Sequence, residues 1–241
     1  MTFNFIPDKK FSWIPLDEEK QIWTIQYYVP KFKSRSIAIK LKNEGCLVVS
    51  PGAHLIQTVE KELPDLGKPK TILIPNSFHH YGISAWLEAY PGIKAVASVQ
   101  AIRRLSKRGY HSIRSLNLLR EELPENIQIL EPPGWRAGEV WLRVQMEKRI
   151  AWIVADAFFN MPKLSPRFLT RLIQRTAKAA PGLSISRILK WVLIKNRRLY
   201  RRWILEQLEK DQPSILVPAH GEIIEDENLP RRLRKLIETR F

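Results

Sequence analysis

Four side chains that can bind a metal ion each follow a short apolar segment that predicts a buried strand. They are His79, His80, Asp156 and His220. Because α/β proteins build their sites in loops at the carboxyl ends of strands, we expect these side chains to lie close together. One histidine of the His79-His80 pair, together with His220 and Asp156, would supply two imidazoles and one carboxylate. This is the ligand set of a three-ligand catalytic zinc site with one open position, and also of non-haem iron.

The chemistry expected of such a site is hydrolysis with one divalent metal ion. Zinc is the preferred metal, with iron and manganese as alternatives. The metal would lower the pKa of a bound water molecule and polarise the bond to be broken. In this hypothesis His80 and His220 bind the metal, and Asp156 binds it or acts as a base, so Asp156 and His80 are the predicted catalytic residues. The neighbouring His79 can take this ligand position instead. Otherwise His79 or Tyr81 would steady the leaving group.

Each of these residues also has a purely structural interpretation. Asp156 after a strand can cap the following segment, since aspartate accepts backbone N–H bonds well. His220, next to a glycine, can be a hydrogen-bonded loop residue, and His79-His80 can form a polar turn. In that case no metal or other cofactor is bound.

Composition limits the class of protein. The 241 residues, 44% of them hydrophobic, suit one domain of α/β size. No apolar run reaches the roughly 18–20 residues that span a bilayer, and the first residues lack the layout of a signal peptide. The one cysteine, Cys46, excludes an internal disulfide framework and a cysteine-rich zinc site. The simplest expectation is a cytoplasmic protein.

Positive charge is concentrated in the last third of the chain. The net charge is +16, and 13 Lys and Arg against three acidic residues between Lys163 and Asp211 give that segment 13 − 3 = +10. Such a surface attracts nucleic acid, an anionic membrane or an acidic partner, although a solvated helix face has the same composition. Trp191, Tyr200 and Trp203 can insert at an interface or stack on bases, or they can belong to the core.

The pattern of elements predicts an α/β fold. Strands dominate the first 60 residues, and a strand–loop–helix follows from Thr71. The segment 139–154 predicts a β-hairpin across 145–148, and helices are predicted after Asp156. Apolar residues recur every three or four positions from Ile185 to Leu208, which predicts one buried helical stripe.

Five short segments resemble the metallo-β-lactamase fold superfamily. They are Val48-Val49-Ser50-Pro51-Gly52, the loop after Thr71 that ends His79-His80-Tyr81-Gly82, Pro133-Gly134-Trp135, Val154-Ala155-Asp156, and Val217-Pro218-Ala219-His220-Gly221. The last two are the better matches, to the superfamily's Gly-Asp-x-Leu-Phe and Gly-His-Gly segments. The resemblance implies a four-layer αββα sandwich of metallo-β-lactamase type, with basic helices in the C-terminal third and a single domain over residues 1-241.

The remaining motifs depart from the superfamily pattern. With Pro75 aligned before the first ligand, Asn76 and Phe78 occupy the first two His positions, and His80 and Tyr81 occupy the Asp and third His positions. Trp135 stands at the fourth His. Phe and Trp cannot bind zinc, so the resemblance implies a degenerate, mononuclear centre at most.

Two functions are compatible with this pattern. The first is a divergent hydrolase of this fold, acting on an unidentified small-molecule substrate, with an anionic one favoured by the basic composition. The alternative is a metal-free, inactive descendant that serves as a binding protein for nucleic acid, an anionic membrane or an acidic partner. In the alternative, Phe78 and Trp135 fill the former metal cavity. No dinucleotide, P-loop, His-Glu-x-x-His or nucleophile-elbow motif is present.

Overall fold

The computed structural model of the protein describes most of the chain. The described residues are 12–19, 21–29, 32–164, 168–177 and 179–241. They form two compact units, Met1–Glu125 and Asn126–Phe241, and each has its own sheet and its own core. A single domain over the whole chain stays a prediction.

The first unit contains a seven-stranded sheet whose strands follow chain order. They are β1 (Ile14–Asp17), β2 (Ile22–Val29), β3 (Phe32–Lys40), β4 (Cys46–Val49), β5 (Pro69–Leu73), β6 (Lys94–Ala97) and β7 (Arg114–Ser115). Strands β1 to β4 pair antiparallel, and β4 to β7 pair parallel. The change of direction is expected, because short turns join the first strands whereas longer helical crossovers join the later ones.

The described residues of the first unit include four helices. They are α1 (Ile56–Glu62), α2 (Ile83–Ala89), α3 (Val99–Ser106) and α4 (Asn117–Glu122), with 3-10 turns at Ala53–Leu55 and Pro64–Leu66. Ser98 caps α3 by accepting the backbone N–H of Ala101. Trp86 of α2 and Leu105 of α3 are fully buried in the core beside Ile72 of β5.

The second unit contains a five-stranded sheet in the order β14-β13-β10-β9-β8 and a small separate pair, β11 and β12. The strands are β8 (Ile127–Leu130), β9 (Trp141–Met146), β10 (Arg149–Val154), β11 (Phe159–Met161), β12 (Gly182–Ser184), β13 (Ile215–Pro218) and β14 (Ile224–Glu225). The predicted hairpin is present, with a tighter turn at Glu147-Lys148. Strands β10 and β13 are parallel, with Val154 beside Pro218.

Four helices are present in the described part of the second unit. They are α5 (Phe168–Thr176), α6 (Arg187–Leu193), α7 (Arg197–Asp211) and α8 (Leu229–Arg240). The apolar stripe predicted from Ile185 to Leu208 is therefore broken between α6 and α7. Asn196 caps α7 by accepting the Leu199 N–H at 3.0 Å. The side chains of Val192 and Leu199 are exposed, so the prediction that they are buried is wrong, whereas Ile204 and Leu208 are buried as expected.

The α/β fold class is confirmed by this mixture of sheets and helices. Among the described residues no helix combines the length and the hydrophobicity needed to cross a membrane.

Candidate metal site

The second unit brings Asp156 and His220 together. Because Val154 and Pro218 are paired on parallel strands, the residues two positions further along each strand leave the sheet at the same edge. There Asp156 Oδ1 lies 3.2 Å from His220 Nε2, and both side chains are buried. The ring of Phe159 stacks on His220 at 5.5 Å between centroids and 10° between planes. The predicted convergence of these two residues is therefore present.

The separation between the two atoms fits two ligands of one metal ion. Zinc bound tetrahedrally, with bonds of about 2.0 Å to nitrogen and oxygen, places adjacent donor atoms roughly 3.3 Å apart. The observed distance between Asp156 Oδ1 and His220 Nε2 is 3.2 Å. Carboxylate oxygen and imidazole nitrogen are also the donor types of catalytic zinc sites. The pair thus fits a metal in chemistry and spacing, and the two atoms also lie within hydrogen-bonding distance of each other.

Glu139 anchors the loop that carries Asp156. One of its carboxylate oxygens, Oε1, accepts the backbone N–H groups of Ala155, Asp156 and Ala157 at 3.2, 3.0 and 3.1 Å. The same oxygen accepts the indole N–H of Trp141 at 3.2 Å. Glu139 is almost completely buried. Because a buried carboxylate gains most from several N–H donors, these bonds fix the path of the backbone at Asp156.

Sequence reasoning did not find Glu139. The signal was one acidic residue in an apolar segment, between Gly138 and Val140-Trp141. Acidic residues are almost never fully buried unless they have partners, so an acid in such a segment is a candidate for a buried acceptor.

Trp135 is a core residue. Its side chain is buried and meets the ring of Tyr200 edge-on at 5.8 Å, and its backbone forms a bridge with Ile194. Burial raises the pKa of Tyr200 well above its ordinary value, and the nearby charge of Glu139 adds to this rise. Trp135 therefore stabilises the second unit where the superfamily pattern would place a histidine.

In the first unit, His79 is oriented by Ser50. Ser50 Oγ lies 2.7 Å from His79 Nδ1, and the hydroxyl of Tyr27 donates to the Ser50 carbonyl oxygen at 3.0 Å. Ser50 follows β4 directly and has a positive φ of 54°, which turns the chain sharply. Since a partner on one ring nitrogen directs the other toward a metal, Nε2 is the atom through which His79 would bind one.

His80 lies in a different environment within the same unit. Its Nδ1 is 3.1 Å from the Phe78 carbonyl oxygen and 3.2 Å from Arg108 Nη1. Its ring stacks on Tyr81 at 4.6 Å and meets Tyr110 edge-on at 6.0 Å. Burial, and next the charge of Arg108, lower the pKa of His80. A guanidinium group beside the ring repels a second cation, so this environment disfavours a metal on His80.

Two arginines hold the loop that carries both histidines. Arg104 Nε donates to Ser77 Oγ at 3.1 Å, and Arg108 Nη1 donates to the Ser77 carbonyl oxygen at 2.8 Å. Asn76 is buried and accepts the N–H of Phe78 at 2.8 Å, so it stabilises the turn. The Phe78 ring is exposed, with the guanidinium of Arg104 5.8 Å from its centroid. The prediction that Phe78 fills a former metal cavity is therefore wrong.

Comparisons with known proteins identify the fold but no related sequence. No family model matches the sequence, and no curated protein matches it. Among solved structures, the DIM-1 metallo-β-lactamase aligns with a TM-score of 0.62 at 14% identity, over 97% of this chain and 99% of that one. The FIM-1 enzyme from Pseudomonas aeruginosa, in its mono-zinc form, aligns with a TM-score of 0.59 at 11% identity, over 96% of each chain.

A mutant of a flavo di-iron protein from Thermotoga maritima gives a third example. It aligns with a TM-score of 0.58 at 12% identity, over 95% of this chain and 60% of that one. At these identities the likeness concerns the fold alone, and it agrees with the resemblance seen in the five sequence segments. The chain has the fold of the metallo-β-lactamase superfamily.

Proposed function

We propose that this protein is a metal-dependent hydrolase that holds one divalent metal ion, zinc before iron or manganese. The observation that carries the proposal is the buried Asp156–His220 pair, whose 3.2 Å separation fits two ligands of one ion. The proposed ligand set is His79, Asp156 and His220. When bound, such a metal supplies an acidified water molecule and polarises the bond to be broken.

The residues of the second unit have separate roles in this proposal. Asp156 supplies a ligand oxygen, and its second oxygen can hold the proton that leaves the attacking water. Glu139 keeps the backbone at Asp156 in place through three N–H bonds and is a positioning residue. Phe159 covers one face of the His220 ring and limits access of solvent to it.

We propose His79, rather than His80, as the ligand from the first unit. Ser50 occupies Nδ1 of His79, as an outer partner of a metal-binding histidine does. His80 lies against Arg108, which disfavours a neighbouring cation. The proposed role of His80 is to assist the leaving group together with Tyr81, whose side chain is exposed and stacked on it.

An anionic substrate is favoured by Arg104 and Arg108. Arg104 donates one N–H group to Ser77 Oγ, two residues before His79, whereas Arg108 Nη1 donates to the Ser77 carbonyl oxygen and also lies 3.2 Å from His80 Nδ1. A guanidinium has five N–H donors in a fixed fork, so each arginine keeps further donors suited to phosphate or carboxylate oxygens. We therefore propose a phosphoester as the substrate class, with thioesters and lactones as the alternatives to be screened.

The test compares hydrolysis by zinc-loaded protein and by variants of matched type. The probes are bis(p-nitrophenyl) phosphate, a thioester and a lactone. We expect zinc-dependent hydrolysis of the phosphodiester that is lost in Asp156→Asn. Arg104→Ala should raise KM, while Arg103→Ala, an exposed arginine on the same helix, should leave it unchanged. Hydrolysis that is insensitive to Asp156→Asn, or no hydrolysis of any probe by zinc-loaded protein, would contradict the proposal.

A further inference from the structure

One segment of the second unit combines dense positive charge with exposed apolar side chains. Between Lys163 and Arg202 the sequence has twelve Lys and Arg and no Asp or Glu. Much of this segment belongs to α5, α6 and the first six residues of α7. A helix face that only contacts water is explained by its charged residues. The exposed apolar residues on these helices therefore require a separate explanation.

Helix α5 contributes a phenylalanine and a leucine. Phe168 is 70% exposed and Leu172 49% exposed, and the four-residue spacing places both on one face of the helix. Arg171 directly precedes Leu172, and Arg175, which is exposed, follows Leu172 by three positions, about one helical turn. The side chains thus alternate between apolar groups and long cationic groups.

Helix α6 contributes a tryptophan and a valine. Trp191 is 62% exposed and Val192 is 55% exposed. The guanidinium of Arg197 lies 3.8 Å from the centroid of the Trp191 ring, and the Lys190 ammonium lies 5.4 Å from it. An exposed indole beside two cations is the arrangement found where proteins meet a membrane interface.

The C-terminal end of α5 lies next to the N-terminal end of α6. The backbone N–H of Arg187, the first residue of α6, donates to the carbonyl oxygen of Ala177, directly after α5, at 2.7 Å. We call Phe168, Leu172, Trp191 and Val192, with the cationic residues of α5 and α6, the α5–α6 surface.

We propose that the α5–α6 surface binds the surface of a bilayer that contains anionic lipids. Its cations match the negative headgroups, and its apolar side chains can enter the boundary between headgroups and acyl chains. Long arginine and lysine side chains keep their charges at headgroup level while the helix lies at the interface. This mode requires both kinds of residue, and both are present.

A nucleic-acid partner explains fewer of these features. Arg197 already lies over the Trp191 ring, which is the surface a base would use for stacking. Leu172 and Val192 have no aromatic face to stack on a base, whereas both gain from burial among acyl chains. The observations therefore favour a lipid surface, and nucleic-acid binding is an outcome that the test distinguishes.

The test is co-sedimentation of the full chain with vesicles. One set contains phosphatidylcholine with phosphatidylserine, and the other contains phosphatidylcholine alone. We expect binding to the first set only, weakened by salt. Val192→Asp and Leu172→Ser should weaken it about tenfold or more. Arg175→Gln should weaken it about fivefold, the loss of one cation near an anionic surface.

Matched controls come from the first unit. Val99→Asp alters a helical valine that is 50% exposed, and Leu118→Ser alters a helical leucine that is 42% exposed. Both should bind vesicles like the unmodified protein. Equal binding to both vesicle sets, no binding to either, or equal weakening by Val99→Asp and Val192→Asp would overturn the proposal. Binding to single-stranded RNA or DNA without binding to vesicles would also overturn it.

Discussion

The bonds to Glu139 allow a quantitative prediction. One carboxylate oxygen accepts three backbone N–H groups of the Asp156 loop and the indole N–H of Trp141, at 3.0 to 3.2 Å. Hydrogen bonds to a charged group contribute about 1.5–3 kcal/mol each, but four donors on one oxygen do not add fully. Each buried N–H left without an acceptor costs about 1–3 kcal/mol.

From these values we expect Glu139→Ala to lower the free energy of unfolding by about 4 kcal/mol. Glu139→Gln keeps an acceptor oxygen but loses its charge, and neutral hydrogen bonds are roughly half as strong, so its expected loss is about 2 kcal/mol. The measurement is urea unfolding followed by tryptophan fluorescence. The control is Glu209→Gln, an exposed position, which should change the free energy by no more than about 0.5 kcal/mol.

The same variant also tests the positioning role of Glu139. Outer partners of metal ligands typically contribute about 10–100-fold to metal affinity, so Glu139→Gln should weaken zinc binding by roughly that factor. If Glu139→Gln unfolds at the same urea concentration as Glu209→Gln and binds zinc equally well, Glu139 does not hold the Asp156 loop in place.

Three further predictions concern groups that are buried or partly buried. Asp211 accepts hydrogen bonds from Arg143 Nε at 2.8 Å and from Trp152 Nε1 at 2.9 Å. We therefore expect Asp211→Ala to lower the free energy of unfolding in urea by about 3–5 kcal/mol, whereas Glu209→Ala, at an exposed position, should change it little. Burial raises the pKa of the Cys46 thiol to about 12, so a thiol reagent should label Cys46 only at the rate of unfolding; rapid labelling of folded protein would contradict this. Burial lowers the pKa of His54 from its ordinary value of 6.5, so the unfolded chain takes up the proton first and stability falls as pH drops below about 6.5. His54→Phe, which keeps a ring beside Tyr27, should make this fall smaller, and an unchanged pH profile of unfolding would count against the assignment.

The sequence predicts the Asp156–His220 pair well because each residue stands at a short, equal distance beyond a predicted buried strand. Two apolar runs predict two buried strands, and each metal-capable residue stands at the same distance beyond its run. Parallel pairing then brings both side chains to one edge of the sheet. The spacing places each residue just beyond its strand, whereas the pairing of β10 with β13 is a tertiary contact that the structure supplies.

The choice between His79 and His80 could not be made from the sequence. Adjacent loop residues can point in different directions, and their contacts depend on partners from distant segments. Ser50 orients His79, whereas Arg108 lies against His80. Glu139 was missed for a related reason, since its four N–H partners lie two residues away and 16 to 18 residues away.

The helical stripe after Ile185 shows how periodicity can mislead. The three- and four-residue spacing of Val192 and Leu199 fits a buried face of one continuous helix. In the structure Asn196 begins a new helix, which changes the rotation of the residues that follow it. The break between α6 and α7 depends on the Asn196 cap and on the pairing of Ile194 with Trp135. The pairing is a tertiary contact, and the spacing of apolar residues gives no information about it.

The proposed metal site is tested by zinc titration with calorimetry and by elemental analysis of the dialysed protein. This site predicts about one zinc per chain, with zinc binding lost in Asp156→Asn and in His220→Gln, weakened in His79→Gln and unchanged in His80→Gln. Circular dichroism and urea unfolding would confirm that each variant is folded. Absence of zinc from the unmodified protein, or unchanged zinc content in folded Asp156→Asn and His220→Gln, would contradict it.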